Sequence, residues 1–139
     1  MTTTISELMA SSPVCLPARS TASEAAAAMR DGAIGAVLVQ EGGRVSGIVT
    51  DRDITVRVVA EGRSPTRVTI GEICSRDLAT LSPTDSSDVA VELMAIWSLR
   101  RLPVVDGGSP VGVVSLGDLA IHGEPESVLA SISGAPPNV

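Results

Sequence analysis

Two hydroxyl and carboxylate pairs with the same spacing are the residues of this chain best suited to binding chemistry. Thr50 lies three residues before Asp53, and Ser115 lies three residues before Asp118. Each pair follows a glycine and a short apolar run, a pattern that predicts a strand leading into a helix. The first turn of a helix has unpaired N–H groups that suit phosphate, and a carboxylate there can accept hydrogen bonds from vicinal hydroxyls. The pairs therefore indicate sites for a nucleoside phosphate.

The same spacing is also typical of a helix N-cap, in which the hydroxyl and the carboxylate satisfy backbone donors. For a single pair, capping is the better interpretation. The pair recurs, however, after the same glycine and apolar residues in two parts of the chain. This recurrence favours a pair of functional sites.

The two pairs occupy equivalent positions of an internal duplication. Residues 5–57 align with residues 70–122 at a constant offset of 65, without an insertion. A long period that occurs only twice predicts two supersecondary units packed about a pseudo-twofold axis, and not an open array. The predicted organisation is a first repeat over 1–60, a linker over 61–67, a second repeat over 68–122 and a C-terminal tail over 123–139. One or two further helical turns are expected over 127–132 of that tail.

Each repeat is predicted to run helix, strand, helix, strand, strand, helix, which gives an α/β (α+β) fold class. Thr4–Glu7 and Thr69–Glu72 have the capping-box pattern that starts a helix. Gly42-Gly43 and Gly107-Gly108 separate apolar runs rich in β-branched residues and predict hairpin turns. The second strand of each hairpin leads directly to a hydroxyl and carboxylate pair.

The composition excludes several classes of protein. With a net charge of −6 in 139 residues, the chain has no basic stripe for a nucleic acid duplex or an anionic membrane. All ten basic residues are arginine, so chemistry that needs a lysine is excluded. No apolar run approaches the length of a membrane span, and no signal-peptide pattern is seen. A cytoplasmic protein is expected.

Four residues of rare types bear on the remaining possibilities. Cys15 and Cys74 are not at equivalent repeat positions, and we expect buried or half-buried free thiols, not a disulfide or a metal pair. His122, the only histidine, is predicted to lie at a helix C-terminus without a catalytic partner. Trp97 is the only aromatic residue, and a core position is favoured over an interface position.

The duplicated pattern resembles the CBS domain family, named for cystathionine β-synthase, whose members occur as tandem pairs called Bateman modules. The resemblance covers essentially residues 5–122. Its motifs are Ile34–Val39 with Gly47–Asp53 in the first repeat, and Arg100–Asp106 with Gly112–Asp118 in the second.

The resemblance implies two related clefts between the repeats, in which family members often bind AMP, ADP, ATP, S-adenosylmethionine or related ligands. It implies that Asp53 and Asp118 bind ribose and that Thr50 and Ser115 lie beside ribose or phosphate. The positions that it assigns to the adenine pocket are Cys15, Ala36 and Val37 in the first repeat, and Thr80, Leu102 and Pro103 in the second.

Arginines near each pair are candidate phosphate ligands, because a guanidinium forms forked, charge-assisted hydrogen bonds to phosphate oxygens. Arg52 is the candidate in the first repeat, and Arg100 or Arg101 in the second. A solvated surface position, or an ion pair with Asp51 or Asp106, is about equally favoured for these side chains.

The two sites are expected to differ. Where the first repeat has Asp51-Arg52, the second has Leu116-Gly117. The carboxylate of Asp51 disfavours a phosphate in the first site, and the second site lacks the equivalent arginine. The sequence is therefore compatible with a ligand in one site, in both sites or in neither.

The leading interpretation is a non-catalytic regulatory or sensor protein that binds an adenosine-containing ligand and acts on an unknown effector protein. The resemblance also implies a homodimer, formed through the aliphatic helices near Ala22–Met29 and Val89–Trp97. The main alternative is a stress-related interaction module that has lost nucleotide binding. An enzyme is a distant third possibility, and no cofactor or metal is required.

Overall fold

The computed structural model describes residues 3–123 and 134–136, so the helical turns predicted over 127–132 lie outside the described residues. The chain divides into two compact units. Residues 13–78 and 108–110 form one of them, which we call the 13–78 unit. The other, the 79–123 unit, combines described residues of segments 1–12, 79–107 and 111–139.

The elements in chain order are α1 (Ile5–Leu8), β1 (Ala10–Ser11), β2 (Cys15–Pro17), α2 (Ala22–Gly32), β3 (Ala36–Glu41), β4 (Arg44–Thr50), α3 (Asp51–Ile54), a π-helical segment (Thr55–Val59), α4 (Ile70–Ile73), α5 (Ser87–Trp97), β5 (Arg101–Asp106), β6 (Ser109–Ser115) and α6 (Leu116–Gly123).

The 13–78 unit contains a three-stranded sheet in the order β2-β3-β4. Strand β2 is parallel to β3, and β3 is antiparallel to β4. The hairpin between β3 and β4 turns at Gly42 and Gly43, whose φ values of 61° and 78° lie in the left-handed region that glycine adopts without strain. The sheet therefore delivers the end of β4, at Thr50, directly into α3.

The core of this unit lies between the sheet and the helices. Val37, Val39 and Val49 of the sheet are buried. The side chains of α2 that join them are small or flexible, which allows close approach of helix and sheet. Helix α4 adds two isoleucines. The buried core residues of the unit are Ala22, Ala25, Met29, Val37, Val39, Val49, Val58, Val68, Ile70, Ile73 and Cys74.

The 79–123 unit has the sheet order β1-β6-β5. Strand β1 is antiparallel to β6, and Leu81 forms a single parallel bridge to Val104 of β5. The first strand of the order predicted for the second repeat is thus reduced to one bridge, at Leu81. The buried core residues of this unit are Ile5, Leu8, Leu81, Ala90, Met94, Leu102, Val104 and Val114.

The short first helix of each repeat belongs to the core of the other repeat. Ile5 and Leu8 of α1 are buried with residues from 81–114, whereas Ile70 and Ile73 of α4 are buried with residues from 22–58. The following residues repeat this exchange, since Ala10 pairs with Val113 in β6 and Ser75 bridges to Ile48 in β4. The compact units therefore do not coincide with the sequence repeats. Each unit contains most of one repeat and the first helix of the other.

The mixed α and β class and the predicted hairpins are confirmed. The core position favoured for Trp97 is wrong, because its side chain is 54% exposed. Helix α5 ends at this residue, and Ser98 follows in a left-handed conformation with φ of 54°. The chain turns there so that Leu99, whose N–H donates to Met94 O at 3.0 Å, packs against the core.

Candidate functional site

The first candidate site lies at the junction of β4 and α3 in the 13–78 unit. Thr50 and Asp53 form a reciprocal pair of hydrogen bonds. The N–H of Thr50 donates to Asp53 Oδ2 at 2.8 Å, and the N–H of Asp53 donates to Thr50 Oγ1 at 3.2 Å. On the neighbouring strand Ala36 lies opposite Thr50, and the N–H of Asp51 donates to Gly35 O at 3.0 Å.

The second candidate site, in the 79–123 unit, has the same geometry at the junction of β6 and α6. The N–H of Ser115 donates to Asp118 Oδ2 at 2.8 Å, and the N–H of Asp118 donates to Ser115 Oγ at 3.1 Å. The N–H of Leu116 donates to Arg100 O at 2.8 Å, as Asp51 does to Gly35. The corresponding hydrogen bonds of the two sites agree to within a few tenths of an ångström.

Both pairs therefore act as helix N-caps in the structure. Capping does not use the full acceptor capacity of either aspartate, because a carboxylate can accept about four hydrogen bonds. Asp53 Oδ1 lies 3.8 Å from Arg57 Nε, which is an ion-pair distance and longer than a hydrogen bond. The carboxylate retains lone pairs for hydroxyl groups of a ligand, so the cap and the binding role are compatible.

The other residues predicted in the first site lie on the same sheet. Val37 is buried, Ala36 is half-buried, and Cys15 of β2 pairs with Leu38 of β3. The Cys15 thiol lies 3.6 Å from Pro13 O, and burial raises its pKa, so it is protonated at neutral pH. Cys15 thus offers a neutral, half-buried surface that suits an uncharged ring better than a phosphate.

In the second repeat the predicted residues differ in exposure. Leu102 and Pro103 of β5 are buried, while Thr80 is exposed just before the bridge at Leu81. Pro103 O already accepts a hydrogen bond from the N–H of Leu81 at 3.0 Å. Backbone recognition of a base at Pro103 is therefore limited to the second lone pair of that oxygen.

The predicted phosphate-binding arginines are at or near the surface. Arg52 and Arg100 are exposed, and Arg101 is half-buried. The N–H of Arg52 donates to Asp51 Oδ1 at 2.9 Å, so the Asp51 carboxylate turns towards the start of α3. Negative charge at this position disfavours a phosphate in the first site, as the sequence indicates.

Sequence reasoning missed Arg57, whose Nε lies 3.8 Å from Asp53 Oδ1. Its guanidinium faces Asp53 and also donates from Nη1 to Ile73 O at 2.8 Å. The signal was present, because aspartate and arginine four residues apart on a helix lie on the same face.

Cys15 and Cys74 are free thiols, as predicted. Over residues 3–123 and 134–136, no group of three or more potential metal ligands is found. Within the same part of the chain, no helix has the length and apolar character needed to cross a membrane. His122 lies in the last turn of α6.

The fold and the paired sites define a tandem α+β module with one hydroxyl and carboxylate site per repeat. The family model for the CBS domain matches residues 5–60 and 70–122, so this chain belongs to the CBS domain family and carries two such domains. The family predicted from the motifs is confirmed.

Two curated relatives and one solved structure show how far the likeness extends. CBS domain-containing protein YhcV of Bacillus subtilis is 42% identical over 102 residues, which cover 73% of this chain and 72% of YhcV. Hypoxic response protein 1 of Mycobacterium tuberculosis is 31% identical over 121 residues, covering 86% of this chain and 85% of that protein. The CBS domain pair of protein MJ0100, solved with 5′-methylthioadenosine and S-adenosyl-L-methionine, has a TM-score of 0.82 at 23% identity and covers 91% of this chain and 100% of its own.

Proposed function

We propose that this protein is a non-catalytic ligand sensor that binds adenosine-containing molecules, such as AMP, ADP, ATP or S-adenosylmethionine, at its two strand-to-helix junctions. The observation that carries the proposal is the recurrence of the same hydroxyl and carboxylate geometry in both units. A helix cap can form without a preceding glycine and apolar strand, and it does not need to recur in both repeats. Helix capping alone therefore does not explain the duplicated pattern. The adenosine derivatives in the MJ0100 structure support the choice of ligand class.

In the proposed complex, the ribose hydroxyls donate to Asp53 or Asp118, and the base lies against the strand that precedes each junction. For the first site this surface is Cys15, Ala36 and Val37, and for the second it is Thr80, Leu102 and Pro103. The candidate phosphate ligands are the exposed guanidinium groups of Arg52 and Arg100 and the half-buried side chain of Arg101. Asp51 weakens phosphate binding at the first site, so ligands with less negative charge are preferred there.

Titration calorimetry with AMP, ADP, ATP, NAD and S-adenosylmethionine tests the proposal. Asp53→Asn and Asp118→Asn are each expected to weaken binding at their own site by about tenfold or more, because a hydrogen bond to a charged group contributes about 1.5–3 kcal/mol. Asparagine keeps an oxygen that can accept from the capped N–H, so the helix start is retained.

Asp77→Asn is the matched control, since it removes one exposed carboxylate and is expected to leave binding unchanged. If no ligand of the series binds, the nucleotide proposal is wrong. If binding occurs and survives both Asp53→Asn and Asp118→Asn, the assignment of the sites is wrong.

Binding without turnover is part of the proposal. His122 lies in the last turn of α6 and is exposed, and burial raises the pKa of both cysteine thiols, which disfavours the nucleophilic thiolate. Nucleotide hydrolysis that is abolished by Asp53→Ala would contradict this part of the proposal.

We further propose that the protein is a homodimer that acts on a separate effector protein. Helix α5 exposes three large apolar side chains, Val91, Ile96 and Trp97, with exposed fractions of 55%, 66% and 54%. Such side chains, tryptophan above all, are enriched at the centres of protein interfaces. The cytoplasmic location expected from the sequence stays a prediction.

Light scattering coupled to size exclusion is expected to show a dimer for the natural chain and a monomer for Trp97→Glu, because a buried unpaired carboxylate opposes association. Thr66→Glu adds the same charge at an exposed position of the segment between the repeats and is expected to remain dimeric. A natural chain that is monomeric at all concentrations, or a dimeric Trp97→Glu variant, would refute the role of α5.

A second candidate function is an interaction module that has lost nucleotide binding. It is favoured by the capping role of both aspartates, which by itself accounts for their position, and by the Asp51 carboxylate at the start of α3. The name of the Mycobacterium tuberculosis relative, hypoxic response protein 1, agrees with a stress-related role of this kind. The calorimetric titration separates the two candidate functions, because the second one predicts that no ligand of the series binds.

A further inference from the structure

Arg57 connects the first candidate site to helix α4, and both contacts lie within the 13–78 unit. Its Nε lies 3.8 Å from Asp53 Oδ1, and its Nη1 donates to Ile73 O at 2.8 Å. Asp53 is held from the other side by the N–H of Thr50, which donates to Oδ2 at 2.8 Å. The Asp53 carboxylate thus contacts the end of β4 and Arg57, and Arg57 in turn contacts the C-terminal end of α4.

Helix α4 depends on such contacts because it has only four residues and too few internal hydrogen bonds to be stable alone. Beyond its end, Ser75 exchanges two hydrogen bonds with Ile48, at 2.9 and 3.1 Å, and Arg76 pairs with Glu41 at 2.9 Å. Both anchors hold the chain after α4 to the β3-β4 hairpin. Among the described contacts of α4, the bond from Arg57 is the one that leads to the candidate ligand carboxylate.

The second repeat has a different residue at the equivalent position. His122 stands 65 residues after Arg57 and four residues after Asp118. It is exposed, and within residues 3–123 and 134–136 no ion pair joins it to Asp118. Its shorter side chain does not provide the forked guanidinium that lets arginine hold two acceptors at once.

We propose that Arg57 is a positioning residue that couples Asp53 of the first site to the docking of α4, and that the second site lacks this coupling. The ligand-dependent part rests on the proposed function. A ligand whose hydroxyls donate to Asp53 fixes the carboxylate in place, and the carboxylate then holds the guanidinium against Ile73 O. By thermodynamic reciprocity, a docked α4 strengthens binding of the same ligand.

Hydrogen exchange of the full chain without ligand tests the coupling first. Arg57→Gln is expected to raise the exchange rate of the amides in 70–76 by about tenfold, the effect of losing a hydrogen bond from a charged donor. Asp53→Asn is expected to raise the same rates by a smaller factor in the natural background. It should have no further effect in the Arg57→Gln background, because the two residues act in series.

A purely structural role for Arg57, limited to its bond with Ile73 O, would leave the exchange of 70–76 insensitive to Asp53→Asn. Additive effects of Arg57→Gln and Asp53→Asn on the exchange rates would also overturn the proposal, because they would show that the two residues act independently. Arg57→Lys is expected to restore part of the protection, since lysine keeps the charge but cannot form both contacts with one planar group. Asp118→Asn is the matched control, and exchange in 70–76 should not change.

The ligand arm uses AMP as the probe. Binding of AMP at the first site is expected to lower exchange in 70–76 of the natural chain and not to do so in Arg57→Gln at matched occupancy. Protection that persists in Arg57→Gln would overturn the coupling. If AMP does not bind the natural chain, the proposed function fails for this ligand, while the outcome without ligand still decides whether Asp53 and α4 are coupled.

Discussion

A fragment of residues 13–78 is expected to fold cooperatively, whereas a fragment of residues 1–60, which follows the sequence repeat, is expected to be largely unfolded. The reason is the exchange of the short helices. Every buried core residue of the 13–78 unit, from Ala22 to Cys74, lies inside the longer fragment. The fragment 1–60 lacks Val68, Ile70 and the residues that follow them.

The size of the effect follows from apolar burial. Ile70 and Ile73 are almost completely buried in the core of the 13–78 unit. Each such side chain contributes about 1.5–3 kcal/mol, so the two together contribute about 3–6 kcal/mol. This is comparable with the whole stability of a small domain, about 5–15 kcal/mol. The fragment 1–60 also exposes Ile5 and Leu8, which belong to the other core.

Thermal melts by circular dichroism and the chemical-shift dispersion of amide protons measure this difference. A fragment of residues 13–69 is the sharper control, since it ends just before α4 and should lose the cooperative transition that 13–78 shows. Equal, cooperative melting of 1–60 and 13–78 would contradict the exchange, because α1 would then have replaced α4 in the first core.

Gly47→Ala is expected to lower the melting temperature by several degrees. A Cβ at this position would lie 2.7 Å from Cys74 Sγ and 3.0 Å from Ser75 O, both nearer than an ordinary contact. Ser75 is held to Ile48 by two hydrogen bonds, so the backbone cannot move away without losing them. Overpacking of this kind costs about 1–3 kcal/mol, which for a chain of this size corresponds to about 3–5 °C per kcal/mol.

The duplication supplies a matched test in the other unit. At Gly112 a Cβ would lie 2.9 Å from Ala10 O and would also meet the side chain of Met9. Gly112→Ala is therefore expected to destabilise the chain as Gly47→Ala does. Gly32→Ala is the control, because its nearest contact is 3.4 Å, to Ile34 in ordinary van der Waals range, and alanine favours a helix by up to about 1 kcal/mol over glycine. Unchanged melting of Gly47→Ala would show that Cys74 and Ser75 are not packed as described.

Much of the architecture was predictable because it depends on local patterns that the sequence repeats. The capping boxes at Thr4 and Thr69 start helices in the structure, and the paired glycines at 42–43 and 107–108 form the hairpin turns. The junctions at Thr50 and Ser115 were found by the same local reasoning, since a hydroxyl, a carboxylate and a preceding strand are read within a few residues.

Features that depend on contacts distant in sequence were missed. Ile5-Ser6-Glu7-Leu8 and Ile70-Gly71-Glu72-Ile73 present the same apolar spacing, so the sequence contains no local signal for which core each helix joins. The exposure of Trp97 depends on the left-handed turn at Ser98. Glycine is the usual sequence signal for such a turn, and the position is a serine. The contact from Arg57 to Ile73 joins residues 16 apart and depends on where α4 docks.

The sequence by itself determined the duplication, the family, the class of fold and the four residues that pair at the two junctions. These follow from periodicity and spacing, which are properties of neighbouring residues. Only the tertiary structure decided that the short first helices exchange cores and that Arg57 links Asp53 to α4 in the first repeat. Such contacts depend on which surfaces pack together, and equal apolar patterns in the two repeats leave that choice to the folded chain as a whole.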